Sequence, residues 1–114
     1  MIIIDSSGWI EYFTDGPLSA EFAKYLKDFT KIVTPTIILY EVYKKVRKER
    51  TEEDALLAVS LIGRTSIIPL LESTSLLAAD LSLKHSLPMA DAIVYATALE
   101  ENCKVITSDI HFKG

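Results

Sequence analysis

Four carboxylates in this sequence stand where a carboxylate can do chemistry: Asp5, Glu41, Asp91 and Asp109. Asp5 directly follows the β-branched run Ile2, Ile3, Ile4, and Asp109 comes two residues after Thr107, the end of another short apolar run. Asp91 falls in the first turn of a helix that should open at Pro88 and Met89. Glu41 lies about two turns into a helix expected to open at Thr34 and Pro35. Ligands of an open parallel sheet bind in the crevice beyond the carboxyl ends of its strands. If the two apolar runs are neighbouring strands, all four acids can point into one mouth. Crowded carboxylates repel one another, so such a group has raised pKa values or takes a counter-charge. A divalent cation supplies that charge: Mg²⁺ prefers oxygen ligands and keeps several waters, and such an ion can activate a water while neutralising charge growing on a phosphate. With only two His in the chain, chemistry that needs no imidazole base fits best.

Each acid taken alone also has a plainer role. Asp5 can cap the helix beginning near Ser7, Asp91 meets the positive end of a helix dipole, Glu41 and Lys45 have the favourable spacing of a surface ion pair, and Asp109 can cap a terminal turn. The neighbours favour a common site. Glu41 is flanked by Ile37, Ile38 and Val42, and Asp91 by Ala90, Ala92, Ile93 and Val94. Such surroundings belong to a face packed on a sheet, where an isolated charge is costly.

The elements that must position these acids alternate along the chain. Short apolar runs at 2–4, 31–34, 66–69 and 104–107 read as buried strands. Between them, helical spacing predicts helices over about 7–14, 18–29, 34–50, 51–62, 73–85 and 88–102. Gly16-Pro17 ends the first, Thr51 with Asp54 three residues on resembles a capping box, and Gly63 closes the helix that box opens. Strands alternating with helices predict an α/β fold with a parallel sheet covered on both faces.

Composition narrows the function. The 114 residues suit one small domain, and 49% hydrophobic residues exclude a disordered chain. One Cys allows neither an internal disulfide nor a cysteine-based zinc site. Lys and Arg number 12 against 16 Asp and Glu, a net charge of −4, which argues against a protein that coats nucleic acid but not against an enzyme with a carboxylate metal site. The run Ile2 to Ile4 is broken at once by Asp5 and has no basic leader, so neither a signal peptide nor a membrane span is expected. A soluble, cytoplasmic protein is expected.

At these residues the sequence resembles the PIN domain family, and within it the VapC-type toxins of prokaryotic toxin–antitoxin pairs. The resemblance rests on Ile3-Ile4-Asp5-Ser6-Ser7, Leu39-Tyr40-Glu41-Val42, Met89-Ala90-Asp91-Ala92-Ile93-Val94-Tyr95-Ala96-Thr97-Ala98 and Val105-Ile106-Thr107-Ser108-Asp109-Ile110-His111-Phe112. The last two segments are the specific ones. It implies a three-layer α/β/α sandwich on a short four- or five-stranded parallel sheet, a single domain over residues 1–114, and Mg²⁺- or Mn²⁺-dependent endoribonuclease activity. Asp5, Glu41, Asp91 and Asp109 would form the acidic quartet, with Asp5 and Asp91 as direct metal ligands. Ser6 would support the carboxylates by a hydrogen bond, and Thr107 matches a similar position before the last acid, where it serves equally as the final strand residue. An RNA substrate, a cognate VapB-type antitoxin and a homodimer are further implications. Family members usually continue into one more short strand, so a chain ending at Gly114 is expected to leave a sheet edge unpaired or covered by a partner.

Lys44, Lys45, Arg47, Lys48 and Arg50 end the helix that carries Glu41. Cations are favoured at a helix C-terminus; Lys44, Lys45 and Lys48 are also candidates for RNA phosphate contacts. Trp9, Tyr12, Phe13, Tyr40 and Tyr43 suit core packing, or a groove that receives a partner or stacks a base. His85, His111 and Cys103 carry no spacing that suggests a site. Other readings are a PIN nuclease acting in RNA processing or on DNA, and a catalytically silent PIN binding module. A phospho-acceptor receiver domain fits poorly, because Ser6 follows Asp5 where a second acid is needed and the third strand ends at Pro69 without an Asp.

Overall fold

A computed structural model describes residues 1–108 of the chain. Strand β1 (Ile2–Ile4) pairs in parallel with β4 (Lys104–Ile106), setting Ile3 opposite Val105; β2 (Val33–Pro35) pairs in parallel with β3 (Ser66–Ile68), setting Thr34 opposite Ile67. A single parallel bridge from Ile2 to Ile32 joins the two pairs, giving the order β3-β2-β1-β4. Neighbouring residues of a strand point to opposite faces, and both Ile3 and Ile4 are buried, as are Val33, Thr34 and Pro35. The sheet is therefore covered on both sides, by the helices α1 (Ser6–Phe13), α2 (Ser19–Ala23), α3 (Thr36–Glu49), α4 (Glu52–Ile62), α5 (Glu72–His85) and α6 (Met89–Glu101). This is the expected α/β sandwich. Among the described residues, no helix is long and apolar enough to cross a membrane.

Ile38, Val42 and Val46 of α3 meet Ala55, Ala58 and Ile62 of α4 in the main core, together with Ile3, Ile4, Ile32 and Trp9. Trp9 is fully buried and stacks on Phe13 at 5.8 Å between ring centres, but its indole N–H has no hydrogen-bond partner among the described residues. Such an orphan donor costs about 1–3 kcal/mol, which the burial of so large a ring offsets. A second cluster, Ala78 and Leu81 of α5 with Ala92, Ile93 and Ala96 of α6, packs the last two helices together.

Three boundaries depart from expectation for local reasons. The segment 18–29 is not one helix. It breaks into α2 and two 3₁₀ turns, Lys24–Lys27 and Phe29–Lys31, because Asp28 is extended and its carboxylate accepts from both the amide and the hydroxyl of Thr30, offering the backbone a turn instead of another helical residue. Thr34 does not cap α3: it is fully buried in β2, and its hydroxyl lies 2.7 Å from that of Thr65, which donates on to the Ile62 carbonyl. A buried hydroxyl must be paired, and that pairing holds Thr34 in the strand, so Pro35 becomes the cap and the helix starts at Thr36. Thr51 does cap α4, accepting from the Asp54 amide at 3.1 Å. Gly63 closes that helix with φ −60°, however, in a conformation open to any residue.

Gly8 and Gly63 should therefore respond in opposite ways to a methyl group. A Cβ on Gly8 would come within 2.5 Å of the Phe22 ring and 2.8 Å of Ile4, whereas on Gly63 its nearest neighbour would be the Val59 carbonyl at 3.3 Å. Urea unfolding should show Gly8→Ala destabilised by about 1–3 kcal/mol and Gly63→Ala within about 1 kcal/mol of the wild type. Equal effects would contradict the packing of α1 on α2.

Candidate active site

The mouth of the site forms where β1 ends and α1 begins. Asp5 follows the last residue of β1, its amide donating to the Ile106 carbonyl at 3.1 Å, and the residue is buried, with 5% exposed. One carboxylate oxygen, Oδ1, accepts from the Gly8 amide at 3.0 Å and from the Ser7 hydroxyl at 2.7 Å; the other, Oδ2, accepts from the Thr107 hydroxyl. The capping role is thus real, and it coexists with a position at the strand ends. Ser7 also accepts from the Ser108 amide at 3.3 Å and lies 3.2 Å from the Thr107 hydroxyl, stitching the start of α1 to the end of β4.

Ser7 was not singled out by sequence reasoning, which favoured Ser6. The two serines divide the work. Ser7, second residue of α1, faces Asp5, while the Ser6 hydroxyl donates to Glu41. The signal that would have found Ser7 is its place within the first turn of a helix capped by Asp5, where a short hydroxyl can reach the cap carboxylate.

Glu41 projects from the second turn of helix α3 in partly buried surroundings. Burial pushes its pKa above the ordinary value of 4.5; the Ser6 hydrogen bond opposes this, and the charges of Asp91 and then Asp5 add to the rise. Asp91 enters from the first turn of α6, half-buried beside the buried Ala92, Ile93 and Val94. Three of the four acids thus share one electrostatic neighbourhood, brought there by three different elements. Asp109 and His111 lie outside the described residues. Lys45 does not pair with Glu41: it reaches Glu49 at 2.7 Å. His85 packs beside Tyr95 at 6.0 Å, and the Cys103 thiol is pushed up by burial, both away from any cluster.

Hard oxygen donors that repel one another, without a cation among the causes of the Glu41 shift, suit Mg²⁺ or Mn²⁺ by the chemistry of the donor set. Among the described residues no three acidic, His or Cys side chains close on one point as a metal cage would. Mg²⁺ does not require a cage, since it is commonly bound by one or two carboxylates with water completing its shell.

The chain belongs to the PIN domain family, whose model it matches over residues 2–114. No curated protein matches the chain by sequence. Among solved structures, it is similar to a toxin–antitoxin complex from Klebsiella pneumoniae, with 23% identity, a TM-score of 0.81, and coverage of 100% of this chain and 92% of that one. The Mycobacterium tuberculosis toxin VapC20, described as cleaving the sarcin–ricin loop, aligns with a TM-score of 0.83 at 16% identity over 98% of this chain and 92% of its own. VapBC2 from Rickettsia felis, bound to a fragment of its promoter DNA, aligns with a TM-score of 0.77 at 20% identity over 99% and 92%.

The electrostatics of Glu41 give a pH test. Because its folded pKa is raised, folding takes up a proton in the window between 4.5 and the raised value, so metal-free stability falls as pH rises through that window and the penalty is complete above it. Glu41→Gln keeps an acceptor for Ser6 and removes the charge. Its thermal midpoint in chelator should exceed that of the wild type by a few degrees at neutral pH, with the gain vanishing below about pH 4. Equal midpoints at neutral pH would show that Glu41 carries no such penalty.

Proposed function

We propose that this PIN domain is a Mg²⁺- or Mn²⁺-dependent endoribonuclease, the toxin of a type II toxin–antitoxin pair, acting in the cytoplasm. The observation that carries the reading is the half-buried Glu41 carboxylate in the combined field of Asp5 and Asp91, with Ser6 donating to it: a folded protein keeps such an arrangement at a cost in the absence of a cation. The descriptions of the similar structures, a sarcin–ricin loop cleaving toxin and two toxin–antitoxin assemblies, support the same reading.

In this proposal Asp5 and Asp91 are the direct metal ligands, and Glu41 and Asp109 complete the acidic set. A bound divalent ion would supply a nucleophilic water at neutral pH and offset charge on the phosphate. The chain's own residues hold the geometry. The Gly8 amide, Ser7 and Thr107 fix both oxygens of Asp5, so that it meets a cation without reorienting. A hydrogen bond from Ser6 favours the charged form of Glu41. Lys44, Lys45 and Lys48, on the same helix as Glu41, draw the RNA phosphates towards an otherwise acidic protein. The partner is a VapB-type antitoxin. The toxin itself pairs as a homodimer, a reading supported by the exposure of the large apolar side chains Leu76, Leu83 and Met89.

Purified protein with Mg²⁺ or Mn²⁺ should cleave RNA internally, and chelator should abolish cleavage. Asp91→Asn is the cleanest variant, because Asp5 is also a helix cap. It should lower the cleavage rate by about a hundredfold or more while retaining the wild-type melting temperature or exceeding it. Absence of cleavage across varied RNAs, or undiminished cleavage by Asp91→Asn, would refute the assignment.

A further inference from the structure

The outer face of α3 carries Tyr40, Tyr43, Lys44, Arg47 and Lys48 at the spacing of a single helical stripe, and these five residues line a hollow of about 510 Å³. Tyr40 is 58% exposed, far from the core role its size would suit, whereas Tyr43 packs partly against the core. The Lys44 ammonium donates to the Tyr40 hydroxyl at 3.2 Å and stands 5.4 Å from its ring centre, so cation and ring are held as a unit. Counter-charge along the stripe is sparse. Lys45, which does not line the hollow, takes Glu49; Arg47 reaches Glu52 only at 3.5 Å with both ends exposed, and Lys44 and Lys48 have no carboxylate partner among the described residues. In a chain of net charge −4, this is a local positive strip interleaved with aromatic rings.

An occupant that satisfies both features offers repeated negative charge and flat apolar faces. Single-stranded nucleic acid offers both, since its phosphates meet cations while its unstacked bases lie on aromatic rings. A duplex keeps its bases stacked on each other and cannot use the rings. The stripe also has a direction: Lys44 and Lys48 stand one and two turns beyond Glu41 on the same side of α3, Lys48 about 10 Å along the axis, so a strand following these cations towards the helix N-terminus approaches the acids.

We propose that this stripe binds a single-stranded segment of RNA beside the bond to be cut, with a base stacked on Tyr40 and the adjoining phosphates on Lys44, Arg47 and Lys48. The strand's identity as RNA rests on the ribonuclease reading above. The ring contact, rather than charge alone, makes the site selective for unpaired regions.

Binding measured in chelator, where nothing is cut, separates this proposal from the cleavage reading. Fluorescence anisotropy with labelled oligouridylate should show tighter binding than to an RNA hairpin of equal length. Tyr40→Ala should weaken oligouridylate binding about tenfold without changing the dependence on salt, and Tyr40→Phe, which keeps the ring, should restore it. Lys48→Gln should instead reduce the slope of log affinity against log salt by about 0.7, as loss of one phosphate contact requires. Unchanged affinity in Tyr40→Ala, with its wild-type melting curve, would overturn the proposal and assign the stripe to a protein partner, while cleavage by the wild type would leave the ribonuclease reading standing. Hairpin binding as tight as single-strand binding would overturn it too. Tyrosine-dependent binding by a protein that cleaves nothing would uphold the stripe and overturn the ribonuclease reading.

Discussion

The Asp5 carboxylate is the joint on which this structure turns. A parallel sheet buried on both faces has no room for charge along its strands, so polar chemistry is displaced to the strand ends, and there Asp5 meets three donors from two regions of the chain. The Gly8 amide and Ser7 hydroxyl tie it to the first turn of α1, and Thr107 ties it to the chain leaving β4. Those bonds satisfy a helix start that would otherwise leave free amides, and they hold the charge where Glu41 feels it. Fold stability and site geometry are the same interaction.

This arrangement explains why the other acids come from helices. Only Asp5 follows directly on a described strand; Glu41 and Asp91 reach the crevice from α3 and α6. Both helices bury residues beside their acid, Val42 on one and Ala92, Ile93 and Val94 on the other. The packing that pins the helices to the core therefore also presses like charges towards one another, and the raised pKa of Glu41 records the result.

Much of this was legible in the sequence because the signals were categorical. A β-branched run cut off by an acid, and helical spacing between turn residues, reveal strand ends and helix starts without tertiary information. Four strands and the capping of α4 by Thr51 emerged from such signals. What stayed hidden depends on partners distant in sequence or on competition between nearly equal local states. Thr34 reads as a cap until Thr65 is placed opposite it. The break at Asp28 is a contest between helix and turn that Thr30 decides. Ser6 and Ser7 are indistinguishable as letters, and only the helical rotation between them sends one to Glu41 and the other to Asp5.

The seam in the sheet carries one more implication. β1 with β4 and β2 with β3 are each fully paired, but a single bridge at Ile2 and Ile32 connects them. Asp5 hangs from the first pair and Glu41 from the helix that leaves the second. The two carboxylates therefore stand on opposite sides of the seam, where backbone pairing among the described residues is reduced to one bridge. A ligand bound to both carboxylates would favour the joined sheet by mass action, since it would bind the folded arrangement and not the separated one.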